Sequence, residues 1–374
     1  MNSYYNAKSR LPLIFGIGFL LICLPMTARA DAGTPLMWAT MLHLVVGNLF
    51  IGIFEGWLLG WIFKLPIYVC ILAMIPANYF SAWVGGCFLN DAITGSLPFT
   101  LYNTWHWVWA MVVFTFIMTL ILEWPFVFFC FRKEPDRLKK SLQGNLLVNS
   151  LSYVLLFGWY WMASGTSLYT KMHVVQPSAM TYPKAGQVYF ISETSDGVCR
   201  LDLHSRQVEK VAALSETNTD ARLFVKPSAI GSDNWDIWDS TKTNLVCSNL
   251  QVTAAQSERD ADNQTQVKGN WFNFGPAPKL ATSWTSDWSF ETGFWPIEGM
   301  HGTNQKTGER IYFSLETPFV SWVIRNATQL PEDYVVFQLG EDQICILEIA
   351  TKKIALLTRG HGPVVVIPKE KVMN

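Results

Sequence analysis

Two glutamates, Glu55 and Glu123, stand in stretches of the sequence that are otherwise almost entirely apolar. Each is followed by a second apolar stretch with the motif Asn-x-x-Ser, 23 residues (78 minus 55) and 26 residues (149 minus 123) further along. A charged side chain near mid-membrane costs roughly 2.5 to 3.5 kcal/mol, so such residues face protein or water. A buried neutral carboxyl can donate a hydrogen bond to an amide of a neighbouring helix. We therefore expect an intramembrane polar cluster of Glu55, Glu123, Asn78, Asn149, Ser81 and Ser152.

Three interpretations of this polar cluster are open at the level of the sequence. The first is an internal clamp in which polar side chains fix how the helices pack. The second is a proton or cation relay, because acidic side chains inside a membrane mark ion pathways. The third is contact with a partner subunit. Four spans leave little room for a conduction path in a monomer, so the relay would require an oligomer.

Small residues recur every four positions around the first glutamate, at Asn48, Gly52, Gly56 and Gly60. Residues with this spacing form one stripe along a helix, and small side chains let a second helix approach closely. Glu55 lies three positions after Gly52, so it lies beside the stripe. The pattern predicts a helix-packing surface and a Glu55 carboxyl that faces protein.

Two histidines near the predicted outer ends of the first and third spans, His43 and His106, raise the possibility of a haem. Their separations from the glutamates differ, 12 residues (55 minus 43) and 17 residues (123 minus 106), so they need not share one level. The alternative for His106, between Trp105 and Trp107, is an interfacial role. We expect no cofactor.

The composition indicates a membrane protein. Of 374 residues, 50% are hydrophobic and 15% are charged, whereas soluble proteins average about 25% charged. The net charge of -1, without a clustered basic excess, argues against a nucleic-acid partner. Four segments are long enough to cross about 30 Å of hydrocarbon, namely 36–63, 67–89, 104–131 and 145–168. They form two hairpins in contact with membrane lipid.

The ends of these segments predict the topology. Residues 1–30 have the three parts of a signal peptide, with cleavage after Ala30, and the alternative is an uncleaved anchor. The loop 132–144 holds five basic residues and the loop 90–103 holds none. Because basic loops stay in the cytoplasm, the C-terminal part lies outside it. We expect a multi-pass protein of a bacterial inner membrane with a periplasmic C-terminal domain.

The two predicted hairpins resemble each other in the order of their marker residues. Trp38 precedes Glu55 by 17 residues and Trp107 precedes Glu123 by 16. Both hairpins enter the membrane from the same side. The pattern predicts a four-helix transmembrane domain over 31–170 with a parallel repeat about an axis along the membrane normal.

Residues 171–374 predict an extracytoplasmic β-rich domain, with short alternating segments separated by turn residues. The segments 188–211 and 335–357 read as copies of one three-strand unit, each with a Phe followed by Cys-x-Leu-acidic-aliphatic. The segments 235–250 and 309–324 read as weaker units. A series of such units predicts a small or incomplete propeller, whose four-stranded blades take about 40 to 45 residues each, and a β-sandwich is the alternative.

An aromatic stretch of this domain mixes acidic and aromatic side chains in a way that could line a ligand pocket. Turn and core residues are the simpler explanation. The chain has no nucleophile elbow, zinc-protease motif, phosphate loop or Cys-x-x-Cys pair, so we expect no metal site and no enzyme. The possible pocket residues are Trp288, Phe294, Trp295, Glu298 and His301.

From these features we expect a non-catalytic membrane receptor, scaffold or assembly protein whose outer domain binds a protein partner, a ligand or a second copy. The alternative is proton- or ion-coupled transport by an oligomer that uses Glu55 and Glu123.

Overall fold

The structure is a computed structural model that describes residues 33–86, 97–192, 197–214, 221–229, 234–239, 244–254, 274–280 and 286–369. The predicted signal peptide lies outside the described residues. The chain divides into two compact units. The helical unit comprises the N-terminal part of the chain up to Leu97, together with Val108–Ser164 and Thr317–Phe319. The β-rich unit comprises Pro98–Trp107, Gly165–Glu316 and Val320–Asn374.

Four helices are long and apolar enough to cross a membrane, which indicates a membrane protein. They are α1 Pro35–Phe63, α2 Ile67–Val84, α3 Thr104–Cys130 and α4 Arg137–Ala163. Within α1, a π-helical segment His43–Gly47 joins the α-helical parts Pro35–Leu42 and Asn48–Phe63. A short helix, α5 Ser167–Thr170, follows α4.

Local sequence signals fix both ends of α1. The Thr34 hydroxyl accepts a hydrogen bond from the Met37 N–H at 3.2 Å, and Pro35 is the first helical residue. These are the side chains that helix starts favour, because the first N–H groups have no partner within the helix. At the other end, Lys64 adopts the left-handed conformation (φ 56°), and the Leu65 N–H donates to the Gly60 carbonyl at 3.1 Å.

The fourth helix differs from its predicted bounds of 145–168. It begins eight residues earlier (145 minus 137), at Arg137, and it ends at Ala163. The hydropathy pattern predicts only the part that suits hydrocarbon, whereas Arg, Lys, Leu and Gln are good helix formers in water as well. The predicted basic loop is therefore half helical.

The β-rich unit contains nineteen strands among the described residues, numbered β1 to β19 in chain order. They are β1 His173–Val174, β2 Gln187–Ser192, β3 Gly197–Asp202, β4 Val208–Ala213, β5 Phe224–Pro227, β6 Trp235–Trp238, β7 Leu245–Leu250, β8 Val252–Ala254, β9 Gly275–Pro276, β10 Trp288–Thr292, β11 Met300–Asn304, β12 Arg310–Phe313, β13 Leu315–Glu316, β14 Ser321–Trp322, β15 Ile324–Leu330, β16 Tyr334–Leu339, β17 Gln343–Glu348, β18 Lys353–Arg359 and β19 His361–Pro368.

These strands form several sheets, in the orders β4-β3-β2-β19-β8, β5-β6-β7, β9-β10-β11-β12, β13-β14 and β15-β16-β17-β18-β1. The described strands form neither a closed barrel nor a closed propeller. β19, the last strand, pairs antiparallel with β2 near the start of the unit. The pairing of β19 with β2 thus joins the two ends of the β-rich sequence in one sheet.

The central strand β2 is buried on both faces, which explains its continuous apolar sequence. Val188 and Phe190 belong to a core shared with β16 and β17. The alternate residues Tyr189 and Ile191 belong to a second core shared with β5 and β6. Because strand side chains alternate between faces, one strand contributes to both cores.

The two sequence copies occupy equivalent strands. Phe190 pairs with Cys199 between β2 and β3, and Phe337 pairs with Cys345 between β16 and β17. In each copy the register with the following strand shifts at that cysteine. By contrast, the segment 309–324 is divided among three sheets, since β12, β13–β14 and β15 belong to different ones.

Candidate functional site

The Glu55 carboxyl lies inside the helical unit, where its side chain is 1% exposed. Its Oε2 accepts a hydrogen bond from the Asn78 side chain of α2 at 2.6 Å. The Ser152 hydroxyl of α4 also interacts with this carboxyl. Glu55, on α1, therefore contacts α2 of its own hairpin and α4 of the second hairpin.

The Glu123 carboxyl of α3 is fully buried. Its Oε1 accepts a hydrogen bond from the Ser81 hydroxyl of α2 at 2.6 Å. The Asn149 side chain of α4 also interacts with it, and the Glu55 carboxyl lies near enough to influence it. Like Glu55, this carboxyl contacts both hairpins.

The polar cluster therefore has a crossed pattern. Each glutamate contacts the Asn of its own hairpin and the Ser of the other hairpin. The Ser81 hydroxyl is 3.1 Å from the Asn78 carbonyl, and the Ser152 hydroxyl is 3.1 Å from the Asn149 carbonyl. The two Asn-x-x-Ser motifs therefore make the same local contacts.

A further asparagine, Asn145, belongs to this network and was missed in the sequence. The Asn149 amide donates to the Asn145 carbonyl and side-chain oxygens, each at 3.1 Å. The Asn145 amide donates to the Leu120 carbonyl of α3 at 2.8 Å. Its position one helical turn before Asn149 was the available signal, because residues four apart share a helix face.

Two carboxyl oxygens of the cluster, Glu55 Oε1 and Glu123 Oε2, are buried without a hydrogen-bond partner among the described residues. A buried acceptor without a donor costs about 1 to 3 kcal/mol. In general, a buried carboxyl oxygen is satisfied when it accepts a hydrogen bond from a protonated carboxyl or contacts a cation. The arrangement can thus hold a proton or a small cation as well as hold helices together.

The chain matches no family model, no curated protein and no solved structure.

The glycine stripe of α1 faces α2 at short range. A Cβ added at Gly52 would lie 2.6 Å from Ile75 Cα, and one at Gly56 would lie 2.5 Å from Ile71 Cα. At Gly60 the nearest atom, in the Ile67 side chain, would be at 2.7 Å. Only glycine leaves room for backbones this close. Asn48, at the start of the stripe, is buried and donates to the Leu44 carbonyl at 3.4 Å.

The two histidines have different surroundings, and each lies in a different unit. His43 Nδ1 is 2.8 Å from the Tyr160 hydroxyl, and the two rings make an edge contact. His106 is exposed in the first turn of α3. Among the described residues, no group of three His, Cys, Asp or Glu side chains could hold a metal ion.

The proposed pocket residues of the β-rich unit are not all on one sheet face. Trp288 is buried on one face of β10. His301 pairs with Glu291 on the opposite face, which is exposed, and its ring lies 4.7 Å from that of Tyr312. The sheet therefore separates Trp288 from His301.

The loop between β10 and β11 carries the remaining three residues. Glu298 is exposed, and its carboxylate accepts from the Trp295 N–H at 3.0 Å. The Phe294 ring contacts the rings of Phe274 and Trp295 and is 39% exposed. These contacts make a small ordered aromatic loop at the surface.

The two equivalent cysteines of the β-rich unit, Cys199 and Cys345, are buried, and the Cys345 thiol is free. Burial, with Asp342 nearby, raises the pKa of the Cys345 thiol well above its ordinary value. Cys247 is half-buried and also free. Since the thiolate is the reactive form, Cys345 is unsuited to a nucleophilic role.

Proposed function

We propose that the protein is a non-catalytic membrane receptor, scaffold or assembly protein. In this proposal the helical unit is an anchor in a bacterial inner membrane, with its four spans arranged as a parallel repeat. The β-rich unit, an incomplete propeller-like arrangement of stacked sheets, lies in the periplasm and binds a protein partner or a second copy. The pairing of β19 with β2 supports the propeller-like description, whereas the core shared by two five-stranded sheets would also suit a sandwich.

The crossed polar cluster supports the role of the helical unit as an anchor. Each buried carboxyl contacts both hairpins, so the two hairpins are held together from inside. Hydrogen bonds between membrane helices contribute about 0.6 kcal/mol on average and up to about 2 kcal/mol. A unit closed by such contacts suits a fixed anchor.

The observation that carries the binding role is the exposure of two edge strands. Among the described strands, β4 and β7 lie at sheet edges. Val208, at the start of β4, is 52% exposed, and Leu245, at the start of β7, is 49% exposed. An edge strand with exposed apolar side chains can pair with an extended segment of another chain.

The test is crosslinking in native membranes. A photoreactive amino acid is placed at Val208 or at Leu245, with Ile346, which is fully buried, as the control position. We expect a discrete crosslinked product from an edge-strand position and none from Ile346. A product of twice the chain mass identifies a second copy as the partner.

A Val208→Glu or Leu245→Glu variant should weaken the crosslink from a neighbouring position on the same strand, because a charge opposes burial at an interface. The protein must remain at its normal level in the membrane fraction. Absence of a specific product from both strands would refute the binding proposal.

Proton- or cation-coupled transport by an oligomer is the second candidate. The unpartnered oxygens of Glu55 and Glu123 favour it, because buried carboxyl oxygens without a donor can accept a proton or contact a cation. In liposomes, this candidate requires a pH-dependent flux that Glu55→Gln and Glu123→Gln abolish. A flux that both variants retain would rule out the relay.

A further inference from the structure

An apolar groove of about 520 Å³ lies between α2 and α3 in the helical unit. Its volume is in the range of sites that hold small molecules. Its walls are formed by Leu72, Ala73 and Pro76 of α2 and by Pro125, Phe126 and Phe129 of α3. Each helix thus contributes a proline to the wall, where no long side chain fills the space.

The two hairpins meet along two seams, and the seams differ. Along the α1–α4 seam, a Cβ added at Gly144 would lie 2.8 Å from the Leu59 side chain and 3.3 Å from the Phe131 ring. That seam is therefore closely packed at Gly144. The α2–α3 seam instead contains the groove, although Ser81 and Glu123 join the same two helices.

Arg132, two residues beyond the last residue of α3, also lines the groove. Its guanidinium lies over the ring of Phe129, 4.3 Å from the ring centre. The residue is exposed, and no ion pair links it to a carboxylate among the described residues. The groove therefore combines apolar walls with one accessible positive charge.

We propose that this groove binds an anionic phospholipid. One acyl chain lies against Pro76 and Pro125, and the phosphate lies on the Arg132 guanidinium. An arginine suits this role because its planar fork donates two hydrogen bonds to a phosphate. The charge favours a lipid over a helix of a partner protein, whose apolar side chains would leave Arg132 unused. The proposal rests on the membrane location given under the proposed function.

The test compares lipid binding by the full chain in detergent, measured by native mass spectrometry. The probes are phosphatidylglycerol and phosphatidylcholine with the same acyl chains. We expect the wild type to prefer phosphatidylglycerol. Arg132→Gln should weaken phosphatidylglycerol binding about fivefold, the effect of one basic residue near an anionic surface. The control Lys133→Gln removes the neighbouring charge and should have a smaller effect.

A second pair of variants tests the acyl-chain site. Leu72 lines the groove and is 69% exposed, so Leu72→Trp fills the groove without disturbing the core. The control Leu155→Trp changes a similarly exposed position of α4, 62% exposed, away from the groove. We expect Leu72→Trp to lose both lipids and Leu155→Trp to retain them.

Two results would overturn the proposal. One is equal weakening by Arg132→Gln and Lys133→Gln, which would indicate general charge attraction only. The other is wild-type lipid binding by Leu72→Trp. Recovery of the wild type without detergent would instead refute the membrane location itself, so the two failures are distinguishable.

Discussion

The two hairpins of the helical unit hold the same polar cluster with different packing. A shift of 68 residues relates Glu55 to Glu123 (123 minus 55). Applied to the glycine stripe, the same shift gives large residues in the second hairpin. They are Leu120 for Gly52, Trp124 for Gly56 and Phe128 for Gly60.

The first hairpin packs backbone against backbone, whereas side chains join the second. Between α1 and α2, a Cβ added at Gly56 would lie only 2.5 Å from Ile71 Cα. Between α3 and α4, the Trp124 indole donates to the Ser141 hydroxyl at 3.2 Å, and the Asn145 amide donates to the Leu120 carbonyl. This difference in packing shows that the polar cluster does not depend on one kind of helix contact. Its polar residues impose the arrangement, and each hairpin fills the remaining space in its own way.

The largest expected effect is that of adding one methyl group in the first hairpin. Gly56→Ala places a Cβ 2.5 Å from Ile71 Cα, a backbone atom that cannot rotate away. We expect the free energy of unfolding to fall by about 3 kcal/mol, the upper part of the usual range for overpacking. Reversible unfolding in mixed detergent micelles, followed by circular dichroism, measures this change.

Gly158→Ala in α4 is the matched control, since a Cβ there meets nothing within 4 Å. Alanine is the better helix former by about 1 kcal/mol, so this variant should be neutral or slightly stabilised. If the two variants behaved alike, the close approach of α1 and α2 would not contribute to stability.

The second hairpin should be destabilised by the opposite kind of change, the removal of side-chain volume. Trp124→Ala removes an indole that is half-buried and bonded to Ser141. We expect a loss of about 2 kcal/mol, less than for a fully buried Trp. The control Trp83→Ala, at a position 50% exposed on α2, should change the free energy of unfolding by about 0.5 kcal/mol. A neutral Trp124→Ala would mean that side chains do not hold α3 and α4 together.

Much of the helical unit follows from local signals in the sequence. The apolar runs predict four helices of membrane-spanning length, and the first begins at Pro35, one residue before its predicted bound of 36. The start of α4 at Arg137 could not be found this way, because hydropathy marks the hydrocarbon part of a helix and not its whole length. The crossed pattern of the cluster could not be predicted from the sequence either. Spacing gives which residues share a helix, but not which helices meet.

The β-rich unit shows a similar limit. The Phe and Cys of each copy predicted equivalent strands, and Phe190–Cys199 and Phe337–Cys345 are paired residues. The return of β19 to β2 has no local signal, because it joins residues at least 170 positions apart (361 minus 191). Trp288 and His301 lie on opposite sheet faces because of the register between β10 and β11. A slip of one residue would move the side chains of one strand to the other face.

The smallest expected effects test whether the two glutamates of the cluster contribute equally to the free energy of unfolding. Double-mutant cycles measure the coupling of Glu55→Ala with Asn78→Ala, and of Glu123→Ala with Ser81→Ala. Both contacts are 2.6 Å long and buried, so each coupling should be about 1 kcal/mol, within the range for membrane hydrogen bonds. Glu55→Ala with Ser150→Ala is the control, since the exposed Ser150 hydroxyl bonds within its own helix, and this pair should be additive within about 0.5 kcal/mol. A coupling for only one of the two glutamates would mean that the shared sequence pattern hides two unequal sites, and that a single carboxyl holds the helices together.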